Sequence, residues 1–253
     1  MRLHGETIGK GKDIILLHGW GMNLGVWGSL LPIISRSFRV TAIELPGHGQ
    51  SQCANKITLN SWARACLDIA PKKASWVGWS LGGLLAIEAA HIEQKKIHSL
   101  CLIASSPCFC KKIDWQCALK NEIFQTFADN FYVNPEKTLK NFLSLQVKGT
   151  KNSQETLRLI HKSLAPRPTP NIEALKTGLK ILKDSDLRKK FSDIEIPINF
   201  LLGGRDTIVP IDIVENLKIL RPSSSFKIIP QAGHAPILSH QEESAKWLVD
   251  NCG

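Results

Sequence analysis

No run of about 18 apolar residues occurs anywhere in the 253-residue chain, so no membrane-spanning helix is expected. Residues 1–13 carry no apolar leader, because charges interrupt them throughout. Internal repeats and low-complexity tracts are absent. The seven cysteines (Cys53, Cys66, Cys101, Cys108, Cys110, Cys117 and Cys252) are odd in number and follow no small-scaffold pattern. Without an export signal, the expectation is a cytoplasmic protein with reduced thiols. Cys108 and Cys110 are too close for a redox pair, and no histidine cluster stands beside them, so no metal or cofactor is expected. The basic residues form no stripe interleaved with aromatics, which disfavours a nucleic-acid binder. The balance of 43% hydrophobic and 21% charged residues is that of a globular domain able to bury a core.

Short apolar runs recur along the chain. Ile14 to Leu17, Phe38 to Ile43, Ala74 to Trp79, Ser99 to Ser105, Ile198 to Leu202 and Phe226 to Ile229 read as buried strands. Between them, Leu81 to Ala90, Asn60 to Ala70, Ile208 to Leu220 and Gln241 to Asn251 read as helices. Apolar strands alternating with helices predict a mostly parallel sheet covered on both faces. The alternation stops between about 109 and 190, where amphipathic helices break at Asn134-Pro135 and again at Pro166 to Pro170. The expected organisation is therefore a core of residues 1–109 and 191–253, with residues 110–190 as a helical lid.

Gly78-Trp79-Ser80-Leu81-Gly82 fits a G-x-S-x-G turn between a predicted strand and a predicted helix. A sharp turn there tolerates only small neighbours and lifts the hydroxyl above the sheet edge. Such a hydroxyl is a weak nucleophile and needs a base. His234 lies in the small-residue loop Gln231 to Pro236, just after the last predicted strand. His4, His91, His98, His161 and His240 occupy no comparable position. The orienting acid should come between serine and histidine in the chain, and Asp206 stands in the turn after Ile198 to Leu202. Backbone N–H groups of Trp20 and Leu81 are expected to form an oxyanion hole. His18 and His48 read as loop-ordering residues. The alternative reading, an inert serine in a packing turn, has no use for an acid and a histidine in the right chain order.

Together these motifs resemble the α/β-hydrolase superfamily, over essentially the whole chain. More narrowly, the segments 16–23, 78–84, 104–109, 141–146 and 178–188 resemble the family of pimeloyl-[acyl-carrier protein] methyl ester esterases of biotin synthesis. The resemblance implies a serine carboxylesterase that hydrolyses the methyl ester at the far end of a pimeloyl chain carried by acyl-carrier protein; no cofactor is needed, and a monomer is expected. It also implies that Phe142 and Gln146, one helical turn apart, line the pocket from the lid. Residues 110–190 hold sixteen Lys or Arg against eight Asp or Glu, most of the chain's net +10. Such a surface suits an acidic partner, with Lys137, Lys140, Lys148, Lys151 and Arg158 as the expected contacts. The family uses arginines on this surface. Here Lys137 and Arg158 stand at two of those positions, and Asn141 and Gln154 replace two others. The competing readings are a general short-chain carboxylesterase or thioesterase, a C–C bond hydrolase, and a binding protein that has kept the fold.

Overall fold

The computed structural model describes residues 1–53, 58–150 and 152–253. Among the described residues there are seven strands: β1 (Gly5–Ile8), β2 (Lys12–Leu17), β3 (Phe38–Ile43), β4 (Ala74–Trp79), β5 (Ile97–Ile103), β6 (Ile198–Gly203) and β7 (Ser225–Ile229). They form one sheet in the order β1-β3-β2-β4-β5-β6-β7. β1 runs antiparallel to β3, and every other pairing is parallel. β1 was not expected from the sequence. All four of its residues are exposed, so no apolar signal marks it, and it is held at the edge by backbone pairing with β3.

The helices in chain order are α1 (Leu31–Ile34), α2 (Leu59–Ile69), α3 (Leu81–Glu93), α4 (Asn121–Val133), α5 (Pro135–Gln146) and α6 (Ser153–Leu164). They continue with α7 (Ile172–Asp184), α8 (Arg188–Ser192), α9 (Ile213–Leu220), α10 (Pro236–Ser239) and α11 (Gln241–Cys252). Successive strand side chains point to opposite faces, and β2 divides its residues accordingly. Ile15 and Leu17 join a core with residues of α2, α3 and α9. Ile14 and Leu16 join a second core with α1 and α11. The sheet is thus covered on both sides, and its central strand β4 is buried along its whole length.

α2 shows why these segments become helices. Thr58 caps it by accepting from the Ser61 N–H at 3.1 Å, and Trp62, Ala63, Ala65, Cys66 and Leu67 form its buried stripe. The helix expected over Ile208 to Leu220 begins only at Ile213. The reason is local: one oxygen of Asp206 accepts from the N–H groups of Ile208 (2.8 Å) and Val209 (2.9 Å), which winds that stretch into a turn.

Helices α4 to α7 lie between β5 and β6. The Asn134-Pro135 break starts α5, with Asn134 accepting from the Lys137 N–H at 3.0 Å and Pro135 at the first helical position. The expected segment boundary at residue 190 falls inside α8. There Lys190 reaches the buried carboxylate of Glu88 on α3, at 2.7 Å. A second tie runs from Arg167, after α6, to the buried Glu44 at 3.3 Å. No described helix is long and apolar enough to cross a membrane.

Candidate active site

Ser80 stands between β4 and α3 with φ 55° and ψ −116°, in the positive-φ region that side chains rarely enter. Close approach explains its glycine neighbours. A Cβ on Gly78 would lie 2.4 Å from the Gly82 carbonyl oxygen, and one on Gly82 would lie 2.2 Å from that of Leu17. The turn is held by the Ser80 N–H donating to Ile103 (2.9 Å) and by the Ser105 hydroxyl donating to the Ser80 carbonyl (2.8 Å). The tight elbow forces Ser80 into its strained conformation, and these bonds hold it there.

The expected serine, histidine and acid come together although 154 and 28 residues separate them along the chain. His234 Nε2 lies 2.9 Å from Ser80 Oγ, and His234 Nδ1 lies 2.7 Å from Asp206 Oδ2. All three residues are buried. With one carboxylate oxygen holding the Ile208 and Val209 amides, Asp206 offers the other to the imidazole. The histidine loop is fixed from the serine side as well. Trp79, beside Ser80, donates its indole N–H to the His234 carbonyl at 2.8 Å. Trp79 and Ser105 were not singled out from the sequence. The first lies within the turn motif and the second within segment 104–109, and neither position signals the bond that it makes.

Neither His18 nor His48 hydrogen-bonds Ser80 among the described residues. His18 donates Nδ1–H to the Gly19 carbonyl at 2.8 Å and accepts the Leu45 N–H on Nε2 at 3.0 Å, which shapes the loop carrying Trp20. His48 bonds the Pro46 carbonyl through Nδ1 at 3.0 Å. Neither the Trp20 nor the Leu81 N–H donates to a protein group among the described residues. Leu81 opens α3, so its amide sits at the positive end of that helix. Burial pushes the Cys108 and Cys110 thiols up to about 11, so thiolate is scarce at neutral pH.

Ser80 opens into a cavity of about 240 Å³ walled mainly by Trp20, Phe109, Phe124, Phe127, Phe142, Leu179 and Leu182. The Trp20 ring meets Phe127, Phe131 and Phe142 edge-on, at 5.6, 5.4 and 4.9 Å between centroids. Its indole N–H donates to the Leu175 carbonyl at 2.8 Å. Phe142 lines the cavity. Gln146 does not: it is buried, its Nε2 donating to the Phe142 carbonyl at 3.2 Å. The backbone carbonyl of Gln146, at the end of α5, lies against the loop of Gly233. There a Cβ on Gly233 would meet the Gln146 carbonyl at 3.1 Å.

Lys148 and Thr207, the latter unread in the sequence, line the same cavity. An open groove of about 700 Å³ between α4 and α5, bearing Asn130, Lys137 and Asn141, shares Ile123, Phe127 and Leu145 with it. Lys137, Lys140, Lys148 and Arg158 are all exposed, and none pairs with a carboxylate among the described residues. Other basic residues of the segment are paired: Lys176 with Glu173, Lys180 with Asp184, and Arg188 with Asp114 and Asp186. The remaining expected contact, Lys151, lies outside the described residues.

Comparison with known proteins agrees with this architecture. The family defined by the alpha/beta hydrolase fold matches residues 13–241. A pimeloyl-[acyl-carrier protein] methyl ester esterase of Pectobacterium atrosepticum is 37% identical, over 98% of this chain and 97% of its own length. One of the same name from Methylococcus capsulatus is 38% identical over the same shares. Among solved structures, an esterase from Exiguobacterium antarcticum superposes with a TM-score of 0.88 at 17% identity, covering 98% of this chain and 94% of its own, a likeness of fold alone. By its sheet, its strained serine turn and relatives that match it almost end to end, the chain belongs to the alpha/beta hydrolase family, among the pimeloyl-[acyl-carrier protein] methyl ester esterases.

Proposed function

We propose that the protein is a serine carboxylesterase that hydrolyses the methyl ester of pimeloyl-acyl-carrier protein. The observation that carries this reading is the hydrogen-bonded line Ser80–His234–Asp206 at one end of an apolar cavity. His234 Nε2 takes the Ser80 proton as Oγ attacks the ester carbonyl. Asp206 keeps the proton-accepting nitrogen toward Ser80 and stabilises the imidazolium that forms. The N–H groups of Trp20 and Leu81 receive the oxyanion. Methanol departs with the proton from His234. Water then attacks the acyl-enzyme with His234 again as base, releasing a carboxylate.

The aromatic cavity takes the methylene chain, and the groove between α4 and α5 is the route by which the chain's tether leaves toward the carrier. Lys137, Lys140, Lys148 and Arg158 supply positive charge to an acidic carrier protein and mainly raise the encounter rate. Helices α4 to α7, between β5 and β6, act as the lid, and the chain works as a monomer.

The test compares pimeloyl-acyl-carrier-protein methyl ester with a short p-nitrophenyl ester, for wild type and Ser80→Ala. Wild type should cleave both, with much the higher kcat/KM on the carrier substrate. Ser80→Ala should lower kcat by on the order of 10⁴-fold or more while keeping the fold. Appreciable activity in Ser80→Ala refutes the mechanism. Cleavage of the short ester alone leaves a general carboxylesterase.

A further inference from the structure

Lys148 is the one charged side chain lining the Ser80 cavity among the described residues. Apart from it, only Ser80 and Thr207 bring hydroxyls to walls that are otherwise aromatic or aliphatic. Its side chain is exposed, which places it at the mouth, and no carboxylate neutralises it among the described residues.

The backbone that carries this cation is anchored to the loops bearing the acid and the histidine. Arg205, next to Asp206, donates to the Gly149 carbonyl at 2.6 Å. Gly233, next to His234, packs so tightly on the Lys148 carbonyl that a Cβ there would lie 3.0 Å from it. The Thr150 N–H closes the same turn onto the Val147 carbonyl at 3.1 Å. The base of the lysine is therefore held in register with the triad at a position that lines the cavity.

A cavity that carries a nucleophile and a cation with no carboxylate partner among the described residues, on walls otherwise apolar, matches one chemical class. An engineered apolar cavity of about 150 Å³ binds a six-carbon ring, so 240 Å³ takes a chain of about ten non-hydrogen atoms. We propose that the enzyme also hydrolyses carrier-free monomethyl esters of medium-length α,ω-dicarboxylic acids, with the free carboxylate paired to Lys148 while the ester lies at Ser80. Water supplies the new carboxylate oxygen, methanol leaves, and one proton is released. The inference rests on Ser80 acting as the nucleophile, as in the proposed function. It makes Lys148 a specificity-determining residue: a neutral ester of the same length gains nothing from it.

The experiment measures methanol release from monomethyl pimelate and from dimethyl pimelate, for wild type, Lys148→Gln and Lys148→Arg, with the carrier-linked ester alongside. The kcat/KM ratio of half-ester to diester should fall about tenfold in Lys148→Gln, through KM, as expected for loss of a charge-assisted contact. Lys148→Arg should restore most of it. An unchanged ratio in Lys148→Gln overturns the inference, including when the carrier substrate alone suffers, which would place Lys148 on the carrier. Wild type that cleaves the carrier ester but not the half-ester overturns this inference and leaves the proposed function standing. Wild type that cleaves neither overturns both.

Discussion

Mild acid should destabilise this protein through a pair of buried histidines. The His18 and His48 rings lie 5.2 Å apart, and neither residue is exposed to solvent. Burial pushes the His48 imidazole down from 6.5 to about 4. Burial, reinforced by the neighbouring His48, holds His18 well below the usual imidazole range. Protonating His18 would also remove the acceptor that takes the Leu45 N–H. At pH 7 both histidines are neutral in the folded and unfolded chains, and stability is intact. As the pH falls below 6.5, the unfolded chain binds protons that the folded one refuses, so stability drops until about pH 4, where His48 protonates in both states. His48 alone then costs about 2 kcal/mol between pH 7 and pH 5. Arg167 holds Glu6, and Arg188 holds Asp114 and Asp186, below the usual carboxylate range, so their contributions are lost only at lower pH. The seven tryptophans provide the signal for urea unfolding at pH 7, 6 and 5. His48→Asn keeps a donor for the Pro46 carbonyl and removes the titrating ring. Its loss between pH 7 and pH 5 should be smaller than that of wild type by about 2 kcal/mol. Equal losses in the two proteins would refute the assignment of the acid sensitivity to His48.

Two further outcomes follow from contacts around the triad. Trp79→Phe leaves the buried His234 carbonyl without its donor, a change of about 1–3 kcal/mol, and should lower kcat by about tenfold or more with KM nearly unmoved. A KM rise with kcat intact would mean that Trp79 does not position His234. Gly178→Ala places a Cβ 2.6 Å from Trp20 Cδ1 and 3.1 Å from its indole nitrogen. It should displace Trp20 from the Leu175 carbonyl, lower stability by about 1–3 kcal/mol and reduce kcat on a p-nitrophenyl ester. Unchanged kcat there would show that the Trp20 loop is not held by α7.

The sequence by itself determined the sheet, the strand-turn-helix around Ser80 and the order of serine, acid and histidine. These are local properties. A fully buried strand such as Ala74–Trp79 must be apolar throughout, and a strained turn must have Gly78 and Gly82 beside it, so both leave their mark on neighbouring residues. β1 left none, because an exposed edge strand is held by backbone bonds that any side chains permit. The start of α9 was misjudged because Asp206 spends one oxygen on the amides of its own turn, which helical periodicity does not reveal. Phe142 lines the cavity while Gln146 is buried outside its lining, since spacing along a helix does not say which of two residues one turn apart a cavity will reach. Only the tertiary structure decided that the Trp79 indole would hold the His234 carbonyl, and that Lys148 would stand at the mouth of the Ser80 cavity. The first joins residues 155 positions apart and the second brings residues 68 positions apart to one cavity, and such distances in the chain are closed by the packing of the whole core and by nothing local.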